Sequence, residues 1–366
     1  MAPFGRPCHA GRVRILVAGA TGYIGSRLVP ELLRRGHDVV AASSSPPQPE
    51  RFSWGERVEA VRMDATDAAD VERAVAGVDA VCYLVHGLSM LDFRARDRLA
   101  AENMRHSVTA HGVRRMVYLS GLVPDVPEEE LSPHIASRLE VEQILRASSA
   151  ATLSMRAGVV IGAGSTSFEI VRQTASALLV QPVPTWMHSR VQPIAVTDVI
   201  RVLADALEDD TAVGDVDIAG PDVISYPELL ELYADVTRLA RVQVPVVLPV
   251  TAVSLTAGLL SAAPYWTAAA LVRSLRHDMV CRPGQPDPEK VDLTDALELR
   301  AAIEQAVAAD GVSDRPSGRV RSDPAWVQAS WVERSIRATR LPGSMLVSSA
   351  LHIAEHRVRG VLSLLG

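Results

Sequence analysis

The sequence is poor in cysteine, lacks an excess of basic charge and opens without an apolar leader, and each absence removes a class of function. Cys8, Cys82 and Cys281 stand far apart, with no C-x-x-C pair among them. An odd, scattered set supports neither a disulfide framework nor a zinc site, so no metal is expected; it suits a reducing compartment, read here as the cytoplasm. Cys82 lies in an apolar run and is expected to be a core thiol. The formal net charge is -6. Such a chain has no basic field to grip a phosphate backbone, and nucleic acid is not an expected partner. Met1–Gly11 contains Pro3 and Pro7 but no apolar secretion core, and reads as a loose stretch before the first strand.

Charge is also missing from the whole of Val242–Val272. That length raises the question of a membrane span. Pro245, Pro249 and Pro264 interrupt it, however, and the piece between Pro249 and Pro264 is too short for a hydrocarbon core of ~30 Å. A buried or interface helix is expected, whose apolar side chains would supply the walls of a ligand pocket.

What is present describes a folded protein, with 48% hydrophobic and 22% charged residues. Strand and helix alternate through the first half. Val13–Ala18, Asp38–Ala42, Val58–Met63, Ala80–Val85, Met116–Leu119 and Thr152–Arg156 read as strands. Tyr23–Arg35, Asp67–Ala76, Phe93–His111 and a segment begun by Ser132–Pro133 and running to about Ser148 read as helices. This spacing predicts an α/β fold, a doubly wound parallel sheet of the Rossmann kind, with a smaller and mainly helical C-terminal substrate lobe. Beyond Gly162 the pattern weakens. Asp198–Leu207 and Tyr226–Leu239 read as helices capped by Asp198 and Ser225, and Val216–Ile218 as a strand. Cys281–Asp292 and the Gly-, Ser-, Pro- and Arg-rich stretch Ala309–Pro324 read as loops, the latter as a linker or exposed. The boundaries that follow are 12–162 for the dinucleotide domain, 163–308 for a lobe interleaved with it, and 309–366 for a linker and tail.

Gly19-Ala20-Thr21-Gly22-Tyr23-Ile24-Gly25 sits between the first strand and the first helix, the context in which a glycine motif binds a dinucleotide. Gly19 allows the turn, Gly22 leaves room for the pyrophosphate and Gly25 lets helix and strand pack closely. Free N–H groups at the helix start then face the phosphates. Ser43 and Ser44 end the second strand where an acid would favour NAD or an arginine NADP. Without the acid, nothing repels a 2'-phosphate, and NADP is slightly preferred. Asp64, after the third strand, either reaches the adenine edge or caps its own loop.

The runs GATGYIG, VDAVCYLVHGL, VRRMVYLSGL, HIASRLEVEQIL and MRAGVVIG follow in order, with QPIAVTDVI and SYPELLELYADVTR beyond them. Together, over roughly Arg12–Arg238, they resemble the short-chain dehydrogenase/reductase superfamily in its extended and atypical, NmrA-like branches. The resemblance implies an NAD(P)-dependent oxidoreductase. Its members use a serine after the fifth strand and a tyrosine and lysine four apart on the next helix. Ser120 matches the serine, whereas His134 and Arg138 occupy the tyrosine and lysine positions. Arg138 would hold the nicotinamide ribose. His134 would pass a proton near neutral pH, with the guanidinium lowering its pKa. By the same resemblance Leu84, Val85 and His86, and then Ala157, Gly158 and Val159, line the cofactor; His86 is a second candidate donor. Tyr83 and Tyr118, inside strand runs, read as core.

Two functions remain open: hydride transfer on the carbonyl, alcohol or enone of a small apolar substrate, or non-catalytic NAD(P) binding as a redox sensor or assembly factor. Nucleotide-sugar epimerase or dehydratase chemistry is the weaker third. At the C-terminus, Val347, Ala350, Leu351, Ala354, Val358, Val361, Leu362 and Leu365 form one helical stripe. Arginines upstream, with Trp326 and Trp331, make this end basic and amphipathic. Such a tail lies on an anionic membrane, docks on the body of the protein, or joins two copies in a homodimer.

Overall fold

The computed structural model describes residues 12–45, 48–87, 92–177, 180–249, 276–309, 316–320, 323 and 327. The leader, the apolar tract from residue 250 to 272, Trp326, Trp331 and the stripe 347–365 lie outside them.

Seven parallel strands form one sheet: β1 (Arg14–Ala18), β2 (Asp38–Ser43), β3 (Glu59–Arg62), β4 (Ala80–Tyr83), β5 (Arg115–Gly121), β6 (Ala151–Ala157) and, far along the chain, β11 (Gly214–Ile218). Their order across the sheet is β11-β6-β5-β4-β1-β2-β3. Reading outward from β1, the chain first proceeds to β2 and β3 and then reverses to β4, so a crevice opens beyond the carboxyl ends of β1 and β4.

Helices cover both faces, and the inner strands β1, β2, β4 and β5 therefore carry apolar runs (Ile15–Ala18, Val39–Ala42, Ala80–Tyr83 and Met116–Leu119) rather than alternating. One face packs on α1 (Gly25–Arg34) and α6 (Val196–Glu208), joining Val17, Val117 and Leu153 to Leu28, Val199 and Leu203. The other packs on α2 (Ala68–Val75), α3 (Phe93–Ala110) and α4 (Pro133–Arg146), where Leu16, Val81 and Met116 meet Val71, Met104 and Leu145. Ser132 caps α4, its side chain accepting the Ile135 N–H with Pro133 in the first turn.

The remaining elements form the lobe. They comprise β7 (Val160–Ile161), α5 (Thr166–Ala177), β8 (Val180–Pro184), β9 (Arg190–Val191), β10 (Ile194–Ala195), β12 (Ile224–Ser225), α7 (Tyr226–Val236), β13 (Val242–Val246) and α8 (Leu299–Ala308). A separate cluster with Phe168, Leu229, Tyr233 and Ile303 is its core. Ser225 and Glu228 form a capping box at the start of α7.

Four expectations are corrected. Asp198 is not the cap of α6: that helix starts at Val196, and the Asp198 carboxylate instead accepts the Leu297 N–H at 2.9 Å. The described part of the charge-free tract is no helix, because Val242–Val246 pairs in parallel with β8. Nor does that part wall the cleft; Val242, Val244 and Val247 are exposed. Finally, residues 316–320 and Asp323 are no free linker. The Arg27 guanidinium, buried on α1, donates to the carbonyls of Pro316 and Gly318 and to both carboxylate oxygens of Asp323.

Among the described residues, no helix is long and apolar enough to cross a membrane and no cluster could hold a metal ion. Cys82 is a buried free thiol in the sheet core.

Candidate functional site

A cleft of about 690 Å³ opens at the carboxyl ends of the strands, and every residue assigned to cofactor or chemistry from the sequence lines it. At one end lie Gly19, Thr21, Gly22, Tyr23, Ile24 and Gly25. The glycines do different things there. Gly19 has φ +93°, in the left-handed region, and a Cβ on Gly25 would stand 2.3 Å from the Gly19 carbonyl oxygen and 2.7 Å from the Ala20 Cα. Those two therefore fix the turn and the seating of α1 on β1. A Cβ on Gly22 would meet only the Gly19 carbonyl oxygen, at 3.3 Å, and otherwise open space. This is a cradle that a side chain would fill, and it fits the pyrophosphate of a dinucleotide.

The end of the cleft beside β2 and β3 is formed by Ser43, Ser44, Asp64, Thr66 and Arg96. Ser44 is exposed, whereas the Ser43 hydroxyl donates to the Ser45 carbonyl and is already committed. Asp64 accepts from the Thr66 N–H at 3.0 Å and its hydroxyl at 2.8 Å, and these bonds hold its carboxyl below the usual range. Loop capping and cleft lining turn out to be one arrangement.

At the opposite end Leu84, Val85 and His86 leave β4; Ser120 lies near the end of β5; His134 and Arg138 project from α4; and Ala157, Gly158 and Val159 leave β6. The rings of His86 and His134 meet edge-on at 6.4 Å. Arg138 reaches past them to donate to the Leu119 carbonyl, with its guanidinium carbon 5.9 Å from the centre of the Tyr118 ring. Its Nε is buried and makes no hydrogen bond.

The electrostatics correct one expectation. Desolvation by the cleft walls, then the Arg138 charge, then His86, push the His134 imidazole down to about 3. His86 is exposed at the cleft beside the same guanidinium, whose charge disfavours its protonated form. At neutral pH the His134 ring is uncharged, so it does not exchange a proton near neutrality as an imidazolium. The guanidinium effect was foreseeable; the larger desolvation was not.

Other lining residues carried no legible signal. Asp97, on the first turns of α3, is buried; it accepts the Gly87 N–H at 2.9 Å and the Ser137 hydroxyl at 3.3 Å. Burial pushes its carboxyl up. Met279, Leu122, Ile135 and Val160 supply apolar wall from four separate segments.

Residues 19–210, more than half of the chain, match the family described as NAD(P)H-binding. A 2-alkyl-3-oxoalkanoate reductase of Stenotrophomonas maltophilia is 33% identical over 177 residues, which cover 42% of this chain and 52% of the relative. A 3 beta-hydroxysteroid dehydrogenase/Delta 5-->4-isomerase of Mycobacterium tuberculosis is 35% identical over 118 residues, 29% of this chain and 31% of the relative. The chain thus spans about half or less of the length of these relatives. In fold it is similar to the Bordetella bronchiseptica enzyme WbmH, solved with NAD+, at 17% identity and a TM-score of 0.61, covering 81% of this chain and 98% of that one.

Proposed function

Because the chain belongs to the NAD(P)H-binding family, we propose that it is an NAD(P)-dependent oxidoreductase of the short-chain dehydrogenase/reductase type, acting on a carbonyl, alcohol or enone of a small apolar molecule. One observation carries this reading: the dinucleotide cradle and the Ser120, His134 and Arg138 side chains lie in a single cleft. When bound, the cofactor supplies a carbon that gives or takes hydride. The chain's own residues do the rest. Gly22 leaves the pyrophosphate its space, and Arg138, which lines the cleft, would hold the nicotinamide ribose. Ser120 hydrogen-bonds the reacting oxygen. His134, uncharged, offers an N–H to the same oxygen and stabilises the charge that develops there.

The walls favour an apolar substrate, since Leu122, Ile135, Val160 and Met279 surround that end. The reductases among the relatives are in keeping with such a molecule. NADP is the preferred cofactor, because no acid stands at the Ser43–Ser44 tip to repel a 2'-phosphate. The absence of a tyrosine at position 134 favours one other reading, a non-catalytic NAD(P) sensor.

Oxidation of NADPH and NADH across a panel of apolar ketones and enones separates the two. Turnover with at least one substrate is expected, faster with NADPH. Tight binding of both nucleotides without turnover on any substrate would establish the sensor instead.

A further inference from the structure

We propose that Arg96, on the first turn of α3, is the residue that selects NADP, by pairing with the 2'-phosphate of the bound cofactor; the inference rests on the NADP reading above. Two arginines line the cleft, Arg138 and Arg96. The Arg138 guanidinium is committed to the Leu119 carbonyl. Arg96 is exposed, and its side chain makes no hydrogen bond and no ion pair among the described residues.

The sequence of α3 accounts for this placement. Arg94, Arg96 and Arg98 all fall in its opening turns, and no acid stands in the first turn to offset them. The helix dipole is positive there and disfavours a cation. Arg94 and Arg98, four residues apart, both donate to Glu140 of α4. Arg96 and Ala100, also four apart, share a different face, the one that lines the cleft. Asp64 lines the same end of the cleft without pairing with Arg96: the Thr66 N–H and hydroxyl take its carboxylate and do most to hold its pKa down, and the Arg96 charge adds to them. Arg96 is therefore a cation with no counter-charge on the protein, at the positive end of a helix and on the wall of a cavity. Each feature favours an anion.

NADP carries two anionic groups. The pyrophosphate fits the cradle at Gly22, at the start of α1. The 2'-phosphate belongs at the end of β2. That tip and the Asp64 loop are hydrogen-bonded neighbours, since the Met63 N–H donates to the Ser43 carbonyl at 2.8 Å. The end of the cleft that Arg96 helps to form is thus the 2'-phosphate end, and Ser44, exposed at the same tip, adds a hydroxyl donor. The selecting charge comes from α3 rather than from β2, whose tip Ser43-Ser44-Ser45 is neutral. A guanidinium offers a phosphate two parallel hydrogen bonds. NAD presents only a hydroxyl at that place, which gains far less from a cation.

The test is calorimetric titration of the full chain with NADPH and with NADH, without substrate. Wild type is expected to bind NADPH more tightly. Arg96→Ala is expected to weaken NADPH by ~10-fold or more, the loss of a charge-assisted hydrogen bond, and to leave NADH nearly unchanged; Arg96→Lys should recover part of the loss. Added salt should erode the NADPH preference of wild type, because an exposed charge pair is screened. Removing a cation from the helix start should leave the unfolding midpoint level or raise it. Should Arg96→Ala unfold, Arg96→Gln, which keeps the bulk, gives the same comparison. Equal losses for the two nucleotides would place the guanidinium on a part they share and overturn the proposal. A preference for NADPH that survives in Arg96→Ala would overturn it while leaving the NADP reading intact, whereas a wild type that binds NADH as tightly as NADPH would overturn both.

Discussion

Arg27 on the first helix and Asp323, 296 residues later, form a two-pronged ion pair at 2.8 and 2.9 Å, with each side chain 1% exposed. The same guanidinium donates to the carbonyls of Tyr23 and Ala163 and stacks on the Tyr23 ring, 3.9 Å from its centre. Helix α1, the loop after β7, Pro316, Gly318 and Asp323 are thus joined at one buried cation, beneath a tyrosine that lines the cofactor cleft.

Removing one partner leaves the other charge buried without compensation, a loss typically of about 3–5 kcal/mol. Asp323→Ala is therefore expected to lower the urea midpoint strongly. The double variant Arg27→Met with Asp323→Leu is expected to be more stable than Asp323→Ala alone. Additive losses in a double-mutant cycle would show that the two residues do not act as a pair.

Glycine substitutions should separate the two duties of the phosphate loop. Gly22→Val is expected to abolish NAD(P)H binding with the unfolding midpoint nearly unchanged, since its side chain enters the open cradle. Gly25→Ala must displace backbone only 2.3 Å away, so stability and binding fall together. Fluorescence titration and thermal unfolding of both variants check the contrast, and equal nucleotide affinity in Gly22→Val and wild type would sink the assignment of the motif.

Arg138 should act on binding. Arg138→Ala is expected to raise the dissociation constant for NADPH roughly tenfold or more, the loss of one charge-assisted hydrogen bond. Arg138→Lys should recover part of it, because an ammonium keeps the charge but not the fork. Isothermal titration distinguishes these from a variant that binds as tightly as wild type.

Acid should act on His134. Its folded pKa, about 3, lies below the ordinary 6.5. As pH falls through 6.5 the unfolded chain takes up the proton first, so the native state loses ground until it too protonates near 3. Unfolding midpoints are expected to fall over that window in wild type and to fall less steeply in His134→Phe. Parallel profiles would mean that the imidazole is charged in the folded protein.

Much of this was legible in the chain itself. Strands buried on both faces need no alternation, and the runs ending in Val17–Ala18 and Cys82–Tyr83 are apolar for that reason. The glycine spacing and the Ser132–Pro133 start announce their turns chemically, and the residues that the glycine motif and the family resemblance placed in the site all line the cleft. The segment Thr166–Ala177 was missed because Glu169, Arg172 and Gln173 are buried, where a sequence reading places solvent. Their burial depends on charge pairing: Glu169 accepts from Arg172, one turn on in the same helix, at 2.6 Å and faces Arg319, far along the chain, at 3.6 Å. Arg27 and Asp323 hid for the same reason, and Asp97 and Met279 reach the cleft through packing that no local pattern records. Tyr118 looked like core, and is core.

The late arrival of α6 and β11 has a consequence for how the chain is made. The face of the sheet carrying Val17, Val117 and Leu153 is closed by Val199, Ile200 and Leu203, and β6 gains its outer neighbour only at Gly214–Ile218. During synthesis all six earlier strands leave the ribosome before that cover exists. A nascent chain stopped after residue 162 would carry the complete phosphate loop but only one finished side. Such an intermediate exposes apolar surface and an open strand edge, the two features that chaperones bind and that drive aggregation.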